Sequence, residues 1–125
     1  MKKVIFTEKA PAAIGPYSQA IEANGMVFVS GQLPVDPATG EFAPGGVAEQ
    51  TTQSFENIKN ILAEAGLTTA HIVKTTVFLA DMALFADMNA VYAKYFDGDY
   101  PARSAVAVKA LPKGALVEVE CIAVR

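Results

Sequence analysis

Two segments of this chain are apolar on both of their alternating faces, and that feature constrains its fold more than any other. In Met26-Val27-Phe28-Val29 every side chain is apolar. In Leu116 to Val124, Val117, Val119 and Cys121 lie on one face while Leu116, Ile122 and Val124 lie on the other. Successive residues of a strand point to opposite sides of a sheet, so strands of this kind need cover on both sides. The helices able to supply it can be counted from the period of the sequence. Val47, Thr51, Phe55, Ile58, Leu62 and Ala65 share one helical face, with Glu49, Gln53, Glu56, Asn60 and Glu64 mostly elsewhere. This predicts a helix from Val47 to Ala65, ended by Gly66. Phe85, Met88, Val91, Tyr92, Tyr95 and Phe96 form the stripe of a second helix, capped by Asp81. Two amphipathic helices cover one face of a sheet, and no further helix is available for the other. Other copies of the same chain are then the expected cover, most simply in a closed cyclic oligomer, with a site between subunits.

The remaining segments complete the order. Lys3 to Phe6 reads as a short edge strand, and Ala10 to Pro16 as a loop. Tyr17 to Ala23 and Met26 to Ser30 are two strands joined at Asn24-Gly25, the strongest short hairpin signal. Pro34 to Gly46 is a second loop. Ile72 to Leu79 is a β-branched strand. Ser104 to Ala110 and Leu116 to Val124 are the last two strands, joined around Pro112-Lys113-Gly114. The order is β-β-β-α-β-α-β-β. The expected fold class is α+β: a single sheet of about six strands backed by two helices, in one domain over residues 1–125.

Composition narrows the function classes. Hydrophobic residues make up 52% of the 125, enough for a packed core. Ten Lys and Arg against 13 Asp and Glu give a formal net charge of −3, so no general attraction to nucleic acid or an anionic membrane is expected. Cys121 is the one cysteine, which excludes an intramolecular disulfide. The apolar run near the N-terminus stops after Phe6 and meets Glu8, too short for a signal peptide, and no stretch is long enough to span a bilayer. A cytoplasmic protein is the expectation.

Several familiar chemistries lack their parts. His71 is the only histidine, at the expected start of a strand, where a solvated role explains it better than a catalytic one. One His and one Cys far apart make no transition-metal site. Neither GxxxxGK[ST] nor GxGxxG occurs, so no phosphate cradle or dinucleotide site is expected.

What remains is a set of polar residues within apolar strands. Arg103 opens the fifth strand, on the face shared by Ala105 and Ala107, whose small side chains leave room around a guanidinium. Glu118 sits between Val117 and Val119, with Glu120 on its face. Each has an ordinary reading beside the functional one. A strand-start Arg can be a solvated surface residue, and a Glu-x-Glu face can be wet or paired with Lys109. A buried guanidinium would instead need a carboxylate, from the protein or from a ligand. By alternation Cys121 faces away from Glu118 and reads as a small core hydrophobe.

The segments Ala12-Ala13-Ile14-Gly15-Pro16-Tyr17-Ser18-Gln19, Val29-Ser30-Gly31-Gln32-Leu33-Pro34, Val73-Lys74-Thr75-Thr76-Val77-Phe78, Pro101-Ala102-Arg103-Ser104, Leu111-Pro112 and Val117-Glu118-Val119 together resemble the reactive-intermediate imine deaminase family (Rid, formerly YjgF). The resemblance covers essentially the whole chain. It implies a chorismate-mutase-like fold assembled as a homotrimer, with three sites at subunit interfaces. It implies hydrolysis of imines and enamines derived from amino acids, such as 2-iminopropanoate and 2-iminobutanoate, to 2-oxo acids and ammonia, with no cofactor.

The resemblance also assigns roles. Arg103 would clamp the substrate carboxylate with its planar fork, which contributes about 1.5–3 kcal/mol for a charge-assisted pair and which a lysine does not reproduce. Glu118 would hold the attacking water. Tyr17 would offer its hydroxyl to the substrate, or serve as an interfacial core aromatic. Ser30 and Gly31 would form the pocket edge, though Ser30 could simply satisfy backbone groups at a strand end. Asn89, on the apolar face of the second helix, would either touch substrate or hold a strand or loop in place. Many family members have cysteine where this chain has Ala105, which removes a thiol nucleophile, favours water, and leaves the Ala105 backbone to orient the ligand. Two other readings remain at this point: a small-molecule-sensing or chaperone-like trimer using the same pocket without turnover, and single-strand RNA cleavage, against which the acidic balance argues.

Overall fold

The computed structural model describes residues 1–125 as one six-stranded sheet with two helices on one face. The strands are β1 (Lys3–Ile5), β2 (Ala20–Ala23), β3 (Met26–Gln32), β4 (Ile72–Leu79), β5 (Ala102–Ala107) and β6 (Val117–Val124); the helices are α1 (Val47–Glu64) and α2 (Phe85–Ala93). The chain order matches the expected β-β-β-α-β-α-β-β. Across the sheet the strands run β1-β2-β3-β6-β4-β5, all pairs antiparallel except β4 with β5. No helix is long and apolar enough to cross a membrane.

Local chemistry sets these elements. Asn24 and Gly25 both take positive φ, 52° and 75°, so that Ala23 pairs with Met26 across a two-residue turn. The N-terminus of α1 is closed by Glu49, whose carboxylate accepts the Gly46 N–H at 2.8 Å. Its C-terminus is closed by Gly66 at φ 77°, which lets the Leu67 N–H reach the Leu62 carbonyl at 2.8 Å. The buried face of α1 carries the expected Val47, Thr51, Phe55, Ile58 and Leu62, joined by the polar Gln50, Ser54 and Asn57.

The bounds of three elements differ from the sequence expectation. The strand expected from Tyr17 begins at Ala20, because the Ser18 and Gln19 carbonyls accept hydrogen bonds from Ser30 instead of entering a regular ladder. Asp81 caps a short 3₁₀ turn, Met82–Leu84, that leads into α2. That helix ends at Ala93, before Tyr95 and Phe96. Those two rings still pack on Phe55, at 4.7 and 6.1 Å between centroids, which is why they prolong the apolar stripe beyond the helix. Finally, β5 spans Ala102–Ala107 rather than Ser104–Ala110, so Arg103 lies inside it.

The two faces of the sheet differ sharply. On the helix side Val27, Val77, Leu79, Val117, Val119 and Ala123 are fully buried. On the outer side Phe28 is 42% exposed and Val106 46%, and Lys74, Thr76 and Ile122 line a shallow hollow with Phe28 and Glu120. The chain leaves this second face uncovered, as the count of helices requires.

Candidate functional site

The polar residues singled out in the sequence fall into two groups, on opposite faces of the sheet. Arg103 pairs with Thr75 of β4, and Thr75 pairs with Cys121 of β6; both are buried against the helices, so Arg103 projects to the helix side. Glu118 has the opposite parity to Cys121 and pairs with Phe78, so it projects to the outer side. One chain therefore does not bring Arg103 and Glu118 together.

Around Arg103 the surroundings are rigid and largely aromatic. Its Nη1 donates to Asn89 Oδ1 of α2 at 2.5 Å. Its guanidinium lies 4.7 Å from the Tyr92 ring centre and 5.4 Å from that of Phe85, and cation–π attraction of this kind holds the planar group in place. The Tyr92 hydroxyl is itself fixed at 2.8 Å from Thr75 Oγ1, and burial raises its pKa. The chain's two ion pairs, Lys59–Glu56 and Arg125–Glu22, leave Arg103 without a carboxylate. Asn89 uses one N–H of a group that has five, leaving most of the fork free. Ala105, two residues on and half-buried, faces the same way. As an edge strand, β5 also has backbone groups with no ladder partner.

The second group is built where a regular strand breaks. Pairing of β3 with β6 shifts register between Val29 and Gln32, which places Ser30 and Gly31 in a bulge. A Cβ on Gly31 would sit 2.5 Å from Glu118 Oε2, so only glycine leaves room for that carboxyl. Glu118 is half-buried, and no hydrogen bond from the chain reaches its side chain. Burial first, and the neighbouring Glu120 charge second, push its carboxyl above the usual glutamate range. The Ser30 hydroxyl donates to the Ser18 carbonyl at 2.6 Å and the Ser30 N–H to the Gln19 carbonyl at 2.9 Å. Within the chain, then, Ser30 has the backbone-satisfying role. Tyr17, 52% exposed, stands beside them in the loop that leads to β2. Tyr17 and Gly31 both line a cavity of about 460 Å³.

Sequence reasoning assigned no role to the four buried amides, Gln19, Gln32, Gln50 and Asn57. Asn57 was open to discovery, since it lies on the apolar face of α1. Gln19 falls in the run expected as a strand from Tyr17, and nothing in that run shows that its amide would bind backbone. His71 closes the short turn before β4, accepting the Thr68 N–H at its Nδ1. Cys121 is 3% exposed on the helix side, and burial pushes its thiol up to about 12. No three His, Cys, Asp or Glu side chains converge as metal ligands would.

A single sheet with two helices on one face, an edge arginine and a bulge-seated carboxyl define an α+β domain whose polar groups lie on opposite faces of the sheet. The pattern of the Ribonuc_L-PSP family, described as endoribonuclease L-PSP, matches residues 7–125. The chain is 50% identical over 125 residues to a 2-iminobutanoate/2-iminopropanoate deaminase of Mus musculus, covering 100% of this chain and 93% of that one. Its fold superimposes on a Rid-family protein of Yersinia pestis with a TM-score of 0.97 at 50% identity, covering all of both chains. It superimposes on E. coli TdcF with bound serine with a TM-score of 0.94 at 49% identity, covering 98% of each. The chain belongs to this family, the YjgF/Rid family.

Proposed function

We propose that this chain is a hydrolytic deaminase of 2-imino and enamine acids such as 2-iminopropanoate and 2-iminobutanoate. The observation that carries the reading is Arg103: half-buried, fixed by Asn89, Tyr92 and Phe85, and without a carboxylate of its own. Such a group is complementary to the carboxylate of a small acid. One relative is named as a deaminase of 2-imino acids, and a solved relative holds serine; both kinds of molecule are small and carry a carboxylate, which supports the reading.

The reaction needs water alone as co-reactant. Arg103 anchors the carboxylate, which fixes the C=N carbon beside it. Water adds to that carbon while one of its protons passes to the Glu118 carboxylate and on to the imine nitrogen, giving the carbinolamine. Glu118 then takes the carbinolamine hydroxyl proton and delivers it to the nitrogen as C=O forms and the C–N bond breaks. A 2-oxo acid and ammonia are left. A carboxyl with a raised pKa suits both steps, since it holds a proton more tightly than an ordinary glutamate does and can still release it to nitrogen. Tyr17, Ser30 and Gly31 shape the pocket around it, and the Ala105 backbone lies next to the anchored carboxylate.

A site using both Arg103 and Glu118 draws them from different copies of the chain. The exposed apolar outer face supplies a surface for such an assembly, and a closed homotrimer with three interfacial sites is the arrangement we favour. The test is to generate 2-iminopropanoate in situ and follow pyruvate. The wild-type protein should accelerate its formation, and Arg103→Ala should remove most of that gain, about a hundredfold in kcat/KM. No acceleration by the wild type would leave a binding protein of the same pocket. RNA cleavage that persists in Arg103→Ala, without imine turnover, would favour the activity for which the family is described.

A further inference from the structure

Of the four buried amides, Gln19 and Asn57 each grip the backbone of a loop segment outside the groups described above. Gln19 is 3% exposed. Its Oε1 accepts the Thr7 N–H at 2.8 Å, and its Nε2 donates to the carbonyls of Thr7, Ala10 and Pro11 at 3.0, 3.3 and 2.9 Å. Its own main-chain carbonyl accepts the Ser30 N–H. One residue thus ties the segment Thr7–Pro11 to the bulge that carries Ser30 and Gly31. Asn57 holds a second segment in the same manner. Its Nδ2 donates to the Leu33 and Val35 carbonyls at 3.3 and 2.9 Å, while its Oδ1 accepts from Gln53 at 2.9 Å.

Both segments are walls of one space. Thr7, Ala10 and Pro11, and Leu33 and Val35, line the cavity of about 460 Å³ that Tyr17 and Gly31 also face. A loop without a ladder keeps its shape only if its backbone groups are satisfied. Among side chains, an amide offers two donors and an acceptor on one planar group, and Gln19 uses both functions on a segment of five residues. The cavity is also large. It lies within the range of about 300–1,000 Å³ typical of small-molecule pockets, well beyond what a three-carbon acid fills.

We infer that Gln19 is a positioning residue that fixes the Thr7–Pro11 wall and thereby sets which substrate side chains the cavity accepts. The substrate in this statement rests on the deaminase reading. Neither Arg103 nor Glu118 lines this cavity, so loss of the wall acts on the part of the substrate beyond the reacting carbon. Small and branched imines therefore separate the effect.

The experiment compares 2-iminopropanoate with 2-imino-4-methylpentanoate in the wild type, Gln19→Leu and Gln19→Glu. In Gln19→Leu, kcat/KM for the branched imine should fall at least tenfold, through KM. For 2-iminopropanoate the fall should stay under threefold. Gln19→Glu keeps the length but turns a carboxylate towards three carbonyls; only its protonated form donates to them. Its kcat/KM for the branched imine, taken as a ratio to wild type, should recover as pH falls. An equal loss for both imines, or a ratio that does not change with pH, would overturn the inference. Should Gln19→Leu fail to fold, Gln19→Glu at acidic pH carries the test.

Two readouts do not depend on turnover. Amide exchange at Thr7 should quicken in Gln19→Leu, and titration calorimetry should show weakened binding of 2-oxo-4-methylpentanoate but not of pyruvate. If the wild type hydrolyses no imine, the deaminase reading fails, while these two measurements still decide the role of Gln19. Unchanged exchange at Thr7, or unchanged selectivity between the two oxo acids, would count against it.

Discussion

The two halves of the candidate site are built in different ways. The Arg103 half stands on regular structure: a strand, the helix packed across it, and two aromatic rings against the guanidinium. The Tyr17–Glu118 half stands on a bulge and a loop, held by buried side chains that bond backbone. Anchoring a carboxylate calls for a fixed fork, which a strand and a helix supply. Handling water and a proton calls for a carboxyl whose pKa its surroundings can shift. Here the close seat beside Gly31 provides the burial that shifts it.

Three substitutions test that contrast. The largest effect belongs to Glu118→Gln, which removes the proton acceptor while keeping the shape. The kcat should fall about 10²- to 10⁴-fold, the usual range for a general acid–base group. In the wild type, activity should be lost as pH falls through an apparent pKa above the ordinary glutamate value. Stability should move the other way. The folded pKa of Glu118 is raised, so its ionisation costs stability; the cost is absent at low pH and grows as pH rises through the raised value. Thermal melts should therefore show Glu118→Gln more stable than wild type at neutral pH, the difference closing in acid. A destabilised Glu118→Gln at neutral pH would show that the carboxyl has a partner in solution.

Gly31→Ala comes next. The added methyl meets the far end of the Glu118 side chain, so the carboxyl shifts and the fold survives. A displacement of that size should lower kcat about ten- to a hundredfold while circular dichroism stays unchanged. The smallest effect is expected on the rigid side. Asn89→Ala deletes one hydrogen bond to Arg103 but leaves Tyr92 and Phe85 in place. KM should rise about three- to tenfold with kcat unchanged, in line with the loss of one hydrogen bond to a charged group partly offset by the aromatic contacts. If Asn89→Ala harmed kcat more than Gly31→Ala does, the division of labour between the halves would be wrong.

The same contrast governs what is legible in the sequence. Regular elements carry a period, so α1, β4 and the Asn24-Gly25 hairpin can be read directly, as can the opposite facing of Glu118 and Cys121. Tyr95 and Phe96 mislead because they satisfy the helical period after the helix has ended, their rings packing on Phe55 by another route. Tyr17 misleads because a β-favouring run does not reveal that Ser30 takes the carbonyls before Ala20. That Arg103 and Glu118 lie on opposite faces depends on β4 joining β5 to β6, and strand order is a long-range property. Gln19 lies in the same run as Tyr17, whose alternation carries no information about its partners. Its partners lie eight to twelve residues away in an irregular segment, so only the folded chain shows what it does.

Cys121 carries a practical consequence. Its β6 position lies between Val29 of β3 and Thr75 of β4, at the centre of the sheet, and its thiol is both enclosed and reluctant to ionise. A thiol reagent can reach it only when the strands part. The rate of labelling at this single sulfur is therefore a built-in clock for the opening of the sheet, one that can be read without adding any reporter to the molecule.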